Sequence, residues 1–361
     1  MELFPSLEKA YSKERLTAMQ AQRLAHEISF GPVVFQVSRL MVKFGIMQLL
    51  VDAREGLTVD GVAARTGLSR YAVQVLLESS LTIGTALCDG DRFTASKAGW
   101  FLLNDPLVKV DMAMNHDVNY RGLYHLEEAL LSGRPAGLKE LGEWANIYEG
   151  LSELPAGAQK SWFDFDHYYS DASFDGALPV VFACRPRTLL DVGGNTGRWA
   201  LRCVDYCPDV RVTVMDLPQQ LEMMRRHTAG QRGAERIAAF GIDLLDADAP
   251  FPSGFDAIWM SQFLDCFPED AATGILARAA ASMDGGATLF VMETFWDRQR
   301  FETAAYCLTQ ISLYFTALAN GNSKMYHSAD MTRCIEAAGL RVEKAVDGLG
   351  KGHTVLVCKK K

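Results

Sequence analysis

The sequence contains no run of apolar residues long enough to cross a membrane. Hydrophobic residues make up 49% of the 361 positions, but the longest apolar runs fall short of the roughly 20 residues that a membrane-spanning helix needs. The first 23 residues mix acidic and basic side chains among the apolar ones, which is unlike a signal peptide. We therefore expect a cytoplasmic protein with no membrane partner.

Paired cysteines and an excess of basic residues are also missing. The eight cysteines include no CxxC pair, and the closest two, Cys203 and Cys207, lie one helical turn apart in a predicted core helix. This pattern favours reduced thiols and predicts no metal site. The formal net charge of -8 argues against a nucleic-acid partner, because proteins that bind phosphate backbones carry a basic face.

The first 105 residues follow the element order of a winged-helix domain. Helical periodicity predicts one buried helix from Val33 to Val51, followed by a short helix over 58–65. Ser69 can cap a further helix, and an Asp-Gly turn at residues 89–90 predicts a hairpin. The helix that Ser69 caps presents few basic side chains, so we favour a dimerisation domain over DNA recognition.

Residues 106–180 form a helical segment that is rich in aromatic side chains. Packing accounts for most of them, and a minority can line the pocket of an aromatic substrate. The aromatic residues considered are Tyr120, Tyr124, Trp144, Tyr148, Trp162, Phe163, Phe165, Tyr168 and Tyr169. We expect this segment to form a substrate lid over a core at 181–361.

A glycine loop opens that core. The predicted strand ending at Val192 leads into Gly193, Gly194 and Gly197, and a helical pattern follows. Strand, glycine loop and helix form the nucleotide-binding arrangement of Rossmann-like folds, in which glycine permits unusual backbone angles and close approach of a ligand. A glycine loop by itself is a weak signal.

Two acidic residues make the signal more specific. Asp216 ends the next predicted strand 22 residues after Gly194, close to the expected spacing for a carboxylate that binds ribose hydroxyls; it can also cap the following helix. Asp191 precedes the first glycine by two residues, and a carboxylate there suits S-adenosylmethionine, which carries an ammonium and a sulfonium but no phosphate. Asp191 can alternatively serve only to hydrogen-bond the loop.

Over nearly its whole length the sequence resembles the small-molecule O-methyltransferases that include the caffeate and acetylserotonin enzymes. The segments that carry the resemblance are Leu190-Asp191-Val192-Gly193-Gly194-Asn195-Thr196-Gly197, Met215-Asp216-Leu217-Pro218, Gly241-Ile242-Asp243-Leu244 and Asp256-Ala257-Ile258-Trp259-Met260. The resemblance implies S-adenosylmethionine as cofactor, with ribose at Asp216, adenine at Asp243 and Leu244, and a further contact near Ser261, where the family often has lysine. Leu217, which follows Asp216, is also expected to contact the cofactor.

The acid-base residues of that family are only partly present. Its catalytic histidine aligns with Asp265, and of its two orienting glutamates one matches Glu293 while the other falls on Met325. An aspartate can remove the acceptor's proton if burial raises its pKa, but Asp265 can also be structural. The rival bases are His116, His125, His167 and His327.

The sequence therefore predicts a homodimeric S-adenosylmethionine-dependent methyltransferase. Its fold is a winged-helix dimerisation domain at 1–105 and a Rossmann-like class I methyltransferase domain at 106–361, with a mostly parallel seven-stranded sheet and an antiparallel edge. The expected acceptor is a small aromatic metabolite methylated on oxygen. Methylation of carbon, another reaction on the same cofactor, and a winged-helix regulator that senses S-adenosylmethionine remain alternatives.

Overall fold

A computed structural model describes residues 5–246 and 248–361. The chain divides into two compact units, one spanning Glu14–His116 and the other Asp117–Lys361 together with the N-terminal segment up to Lys13. Within the described residues no single helix is long and apolar enough to span a membrane, and one bent pair of helices passes that test by length and composition only.

The smaller unit is helical with one hairpin. Strands β1 (Ala86–Asp89) and β2 (Arg92–Ala95) pair antiparallel, which confirms the predicted hairpin. Ser69 accepts a hydrogen bond from the backbone N–H of Ala72 and caps the helix that follows it, also as predicted. The helices of this unit are Ala18–Ser29, Gly31–Lys43, Ile46–Asp52, Val59–Thr66, Arg70–Ile83, Lys97–Asn104 and Pro106–Met114.

The single helix predicted from Val33 to Val51 is wrong. The structure has two helices there, bent by 67° to each other, and the second starts after Gly45, whose φ is 72°. A residue in the left-handed region cannot continue a right-handed helix, and glycine adopts that region without strain. Helical periodicity on both sides of Gly45 hid the break.

The larger unit is built on one sheet, as expected. Within the described residues the sheet has seven strands in the order β5-β4-β3-β6-β7-β9-β8. The first five in that order run parallel, and β9 pairs antiparallel with both β7 and β8. The strands are β3 Thr188–Val192, β4 Arg211–Asp216, β5 Ile237–Gly241, β6 Ala257–Ser261, β7 Thr288–Glu293, β8 Leu340–Leu349 and β9 His353–Lys360.

Helices cover both faces of this sheet. All six residues of β7 are buried, as expected for a strand packed on both faces, and the apolar residues form one core cluster on each side. The helices of this unit are Pro5–Tyr11, Tyr120–Gly122, Leu126–Ser132, Ile147–Gly150, Ala156–Ser170, Phe174–Phe182, Arg198–Tyr206, Pro218–Thr228, Glu269–Ser282, Glu302–Tyr314 and Ser328–Ala337. The carboxyl ends of β3, β4 and β6 meet at one edge, where ligands bind in open α/β sheets.

Candidate active site

A cavity of about 500 Å³ opens at the carboxyl ends of the parallel strands. It is large enough for a nucleoside and a small second ligand. Most of the predicted site residues line it: Asp191, Gly193, Gly194, Asp216, Leu217, Asp243, Leu244, Ser261 and Asp265. Gly197 and Glu293 are not among its lining residues.

The glycine loop is fixed by packing as well as by backbone angle. Gly193 and Gly197 have φ values of 69° and 76°, as expected for a tight turn between strand and helix. A Cβ on Gly193 would overlap the ring of Phe263, and one on Gly194 would lie 2.5 Å from Asp191 Oδ2. The sequence suggested that a side chain here would obstruct a ligand. In the structure, a side chain at Gly193 or Gly194 would already clash with Phe263 or Asp191 of the protein.

Asp216 joins the end of β4 to the glycine loop. Its Oδ2 accepts a hydrogen bond from the N–H of Asn195 at 2.9 Å, and its Oδ1 accepts one from the N–H of Leu217 at 2.7 Å. These bonds fix the orientation of the carboxylate and leave each oxygen a lone pair for a further donor. Burial nevertheless raises the pKa of Asp216 to about 6.

Asp191 lies buried beneath the loop in β3, with an exposed fraction of 2%. Its Oδ2 has no hydrogen-bond partner among the described residues. Burial, and secondarily the charge of Asp216, raise the pKa of Asp191 to about 8. A buried carboxyl group of this kind ionises readily only beside a cation.

The remaining predicted cofactor residues lie at neighbouring strand ends. Asp243 is exposed and its Oδ1 accepts a hydrogen bond from the N–H of Leu245 at 2.9 Å, while Leu244 is buried. Leu217 is the N-cap residue of the helix Pro218–Thr228, and Ser261 ends β6. Together with the loop they form one continuous wall of the cavity, which we call the cofactor end.

Asp265 lies on the 3₁₀ turn Leu264–Cys266 that follows β6. It lines the cavity although only 4% of its surface is exposed. Burial raises the pKa of Asp265 to about 7, the Cys266 thiol opposes that change by hydrogen bonding, and the charge of Asp166 adds to it. A raised pKa brings a carboxyl group closer to the range that suits general-base catalysis near neutral pH.

Glu293, at the end of β7, supports the turn that carries Asp265. Its Oε1 accepts hydrogen bonds from the N–H groups of Phe263 at 3.1 Å and Leu264 at 3.0 Å. Burial raises the pKa of Glu293 well above its ordinary value, and the charge of Asp265 adds to the effect. These contacts are to backbone, so Glu293 orients the Asp265 segment rather than the Asp265 carboxyl group.

Aromatic side chains line a further part of the cavity, which we call the acceptor end. Of the aromatic residues singled out from the sequence, Tyr148, Trp162 and Phe165 line the cavity, and Tyr314 and Phe315 join them. Trp162 Nε1 donates a hydrogen bond to Tyr314 Oη at 2.6 Å. Large flat apolar surfaces with a few polar groups suit an aromatic ligand.

Of the four rival histidines, His167 lines the cavity and His116, His125 and His327 do not. Burial and the charge of Arg198 lower the pKa of His167. His125 lies 3.0 Å from Glu140, and His327 lies buried 3.7 Å from Asp297. Of these four histidines, His167 is therefore the one that lies at the cavity.

Sequence reasoning missed several lining residues. Gln262 has a φ of 46° and its Oε1 lies 3.1 Å from Nε2 of buried His353, on β9. Burial lowers the pKa of His353 to about 3, so its neutral ring donates to Gln262. Asp166 also lines the cavity, but in the sequence it lies in a segment whose distinctive feature is its aromatic residues. The contact between Gln262 and His353 joins positions 91 residues apart and left no local signal.

Comparison with known proteins matches both parts of the chain to families. Residues 22–93 match the Dimerisation2-like domain, and residues 178–341 match the O-methyltransferase domain. Demethylspheroidene O-methyltransferase of Rhodobacter capsulatus is 23% identical, with 90% of this chain and 78% of that protein aligned. Acetylserotonin O-methyltransferase of Bos taurus is 25% identical over 80% of this chain and 85% of its own length.

Solved structures show the same fold. Mitomycin 7-O-methyltransferase superimposes with a TM-score of 0.70 at 20% identity, covering 94% of this chain and 98% of its own. An O-methyltransferase from neocarzinostatin biosynthesis, in complex with S-adenosylmethionine and 2-hydroxy-5-methyl naphthoic acid, gives 0.67 at 20% identity over 91% and 96%. The match over residues 178–341 identifies an O-methyltransferase domain in this chain, and the solved structures share its fold over more than nine tenths of the chain.

Proposed function

We propose that the protein transfers a methyl group from S-adenosylmethionine to a hydroxyl oxygen of a small aromatic acceptor. One observation carries the proposal: a single cavity brings the glycine loop, Asp216 and Asp243 together with the buried carboxyl group of Asp265 and several aromatic side chains. Relatives that methylate oxygen on small molecules support the same conclusion.

The residues of the cofactor end fit S-adenosylmethionine better than a dinucleotide. Asp216 offers two oriented oxygens to a ribose diol, Asp243 and Leu244 lie where adenine is expected, and Asp191 offers an unpartnered carboxyl group to a cation. Among the described lining residues Arg198 is the one arginine or lysine, and it pairs with Asp171. A pyrophosphate would face carboxylates with little compensating positive charge.

The bound cofactor supplies an activated methyl group on a sulfonium centre. The protein's own contribution is to hold the acceptor hydroxyl in line with that group and to receive its proton. Asp265 is the group we assign to the proton transfer, since its raised pKa brings it closer to that of a phenol. Glu293 is assigned as a positioning residue, because it binds the backbone N–H groups of Phe263 and Leu264.

We further propose that two copies associate through the smaller unit as a homodimer and that this unit is a winged-helix domain. Its match to a Dimerisation2-like domain supports this, as does its helix, helix, hairpin order. Several large apolar side chains there are exposed, including Met19 at 82% and Ile28 at 70%. Exposed apolar surface of this kind is typical of a face that is covered in a dimer. The eight free thiols favour a reducing, cytoplasmic location.

The test is an assay of methyl transfer from isotopically labelled S-adenosylmethionine to a panel of phenols. We expect one S-adenosylhomocysteine formed per labelled methyl group, and a methyl resonance attached to oxygen in the product. A methyl group on carbon would replace the proposed reaction by the carbon alternative. Cofactor binding without turnover on any acceptor would contradict the enzyme assignment.

A further inference from the structure

Asp166 is a cavity carboxyl group for which the proposed reaction has no use. It lies on the helix Ala156–Ser170, one turn after Trp162, so both side chains lie on the same face of that helix. The hydrogen bond from Trp162 to Tyr314 fixes this face against the acceptor end. Asp166 therefore lies among the residues that would surround a methyl acceptor.

No described arginine or lysine pairs with Asp166. Nδ1 of His167 lies 3.7 Å from Asp166 Oδ2, and burial together with the charge of Arg198 lowers the pKa of His167. Arg198 pairs with Asp171, and its charge only partly offsets the burial and the Asp171 charge that together raise the pKa of Asp166 to about 7. The charge of Asp166 reaches Asp265, whose pKa it raises. The two carboxyl groups therefore line one cavity, and among the described residues neither forms an ion pair with an arginine or lysine.

We infer that the Asp166 and Asp265 pair selects the acceptor: a phenol whose second polar group is a hydrogen-bond donor, above all a protonated amine, and not an aromatic carboxylate. An ammonium group satisfies Asp166 by a charge-assisted hydrogen bond. A carboxylate would be buried beside two acidic groups, and the arginine that lines the cavity, Arg198, is already paired with Asp171. Asp166 is thus a specificity-determining residue, and the inference rests on the proposed methyl transfer to a phenol.

Three phenols that share one ring and one two-carbon chain provide the test. Tyramine carries an ammonium, tyrosol a hydroxyl and 3-(4-hydroxyphenyl)propionate a carboxylate. Their dissociation constants are measured at pH 7.5 by calorimetry on enzyme saturated with S-adenosylhomocysteine. We expect the carboxylate to bind at least about tenfold more weakly than tyramine, with tyrosol between them.

Three variants complete the design. Asp166→Asn should reduce the difference between tyramine and the carboxylate to within about threefold, and Asp166→Glu should preserve it. Asp164→Asn is the matched control, because Asp164 lies on the same helix, is exposed and pairs with Lys160 at the surface. This control should bind all three phenols as the native enzyme does.

Other results would overturn the inference. The native enzyme could bind all three phenols equally, bind none of them, or bind the carboxylate most tightly. Asp166→Asn could also leave the ratio of the tyramine and carboxylate dissociation constants unchanged. A loss of S-adenosylhomocysteine affinity in Asp166→Asn, with the acceptor ratio intact, would assign Asp166 to the cofactor instead. Failure of the native protein to bind S-adenosylhomocysteine would contradict the proposed function itself, which separates the two failures.

Discussion

Replacing Asp265 by asparagine should remove activity and at the same time stabilise the protein, in a pH-dependent way. Burial raises the pKa of Asp265 from 3.8 to about 7, so the folded protein binds the proton of this group more tightly than the unfolded chain does. The contribution of Asp265 to stability is therefore fully present below pH 3.8 and is lost as the pH rises through about 7. Asparagine has the same shape and no charge to bury.

The size of this effect follows from the displaced titration. Each pH unit corresponds to about 1.4 kcal/mol, so between pH 4.5 and 8 the variant should gain about 3 kcal/mol in unfolding free energy relative to the native protein. Its kcat should fall by roughly 10² to 10⁴, the usual contribution of a general base. Urea unfolding at both pH values and the methyl-transfer assay measure the two effects.

Two outcomes would refute this reasoning. One is a stability difference between native protein and Asp265→Asn that is the same at pH 4.5 and pH 8. The other is a kcat of Asp265→Asn within tenfold of the native value. Asp265 would then have a structural role, and His167 would be the next candidate for the base. Asp164→Asn, a surface substitution, controls for the general effect of removing one carboxylate.

Three other perturbations test parts of the account. Gly193→Ala should lower the unfolding free energy in urea by several kcal/mol, because φ is 69° and the new Cβ would overlap the ring of Phe263. Gly230→Ala, where φ is 74° but the space is open, should cost only about 1 to 2 kcal/mol. Equal losses in the two variants would contradict the packing argument. The native protein should lose about 2 kcal/mol of unfolding free energy between pH 6.5 and pH 5, because the lowered pKa of His353 makes protonation favour the unfolded chain. In His353→Gln this loss should be smaller, and an unchanged pH dependence would contradict the prediction. Asp166→Asn should move the inflection in the pH dependence of kcat to lower pH, because it removes a negative charge that raises the pKa of Asp265, while Cys266 and Glu293 remain in place. A shift to higher pH, or no shift, would contradict this prediction.

The fold could be predicted closely because its signals are local. The run of apolar residues ending at Val192, the glycines after it and the acid at Asp216 occur within about 30 residues of chain, and each reports a backbone requirement of one strand-loop-helix unit. The break at Gly45 escaped because apolar spacing continued through it, and periodicity reports a buried face rather than the path of the backbone.

The candidate site was predictable only where it follows that unit. Asp265 was found through its position in a family motif, but its burial and its proximity to Asp166 depend on a helix about 100 residues earlier in the chain. The same holds for His353, which reaches Gln262 from the last strand. Such tertiary contacts carry no spacing rule, so the groups that set the chemistry of the acceptor end became visible only in the folded chain.

The most direct test of the central claim is calorimetric titration of the purified protein with S-adenosylmethionine, S-adenosylhomocysteine and NAD. The titrations are repeated on Asp216→Ala and on Asp209→Ala, an exposed aspartate outside the cavity. We predict that the native protein binds the first two ligands and not NAD. Asp216→Ala, which loses the group assigned to the ribose, should bind these two ligands at least about tenfold more weakly, and Asp209→Ala should bind them as the native protein does. Binding of NAD alone, or equal binding by Asp216→Ala and the native protein, would contradict this prediction.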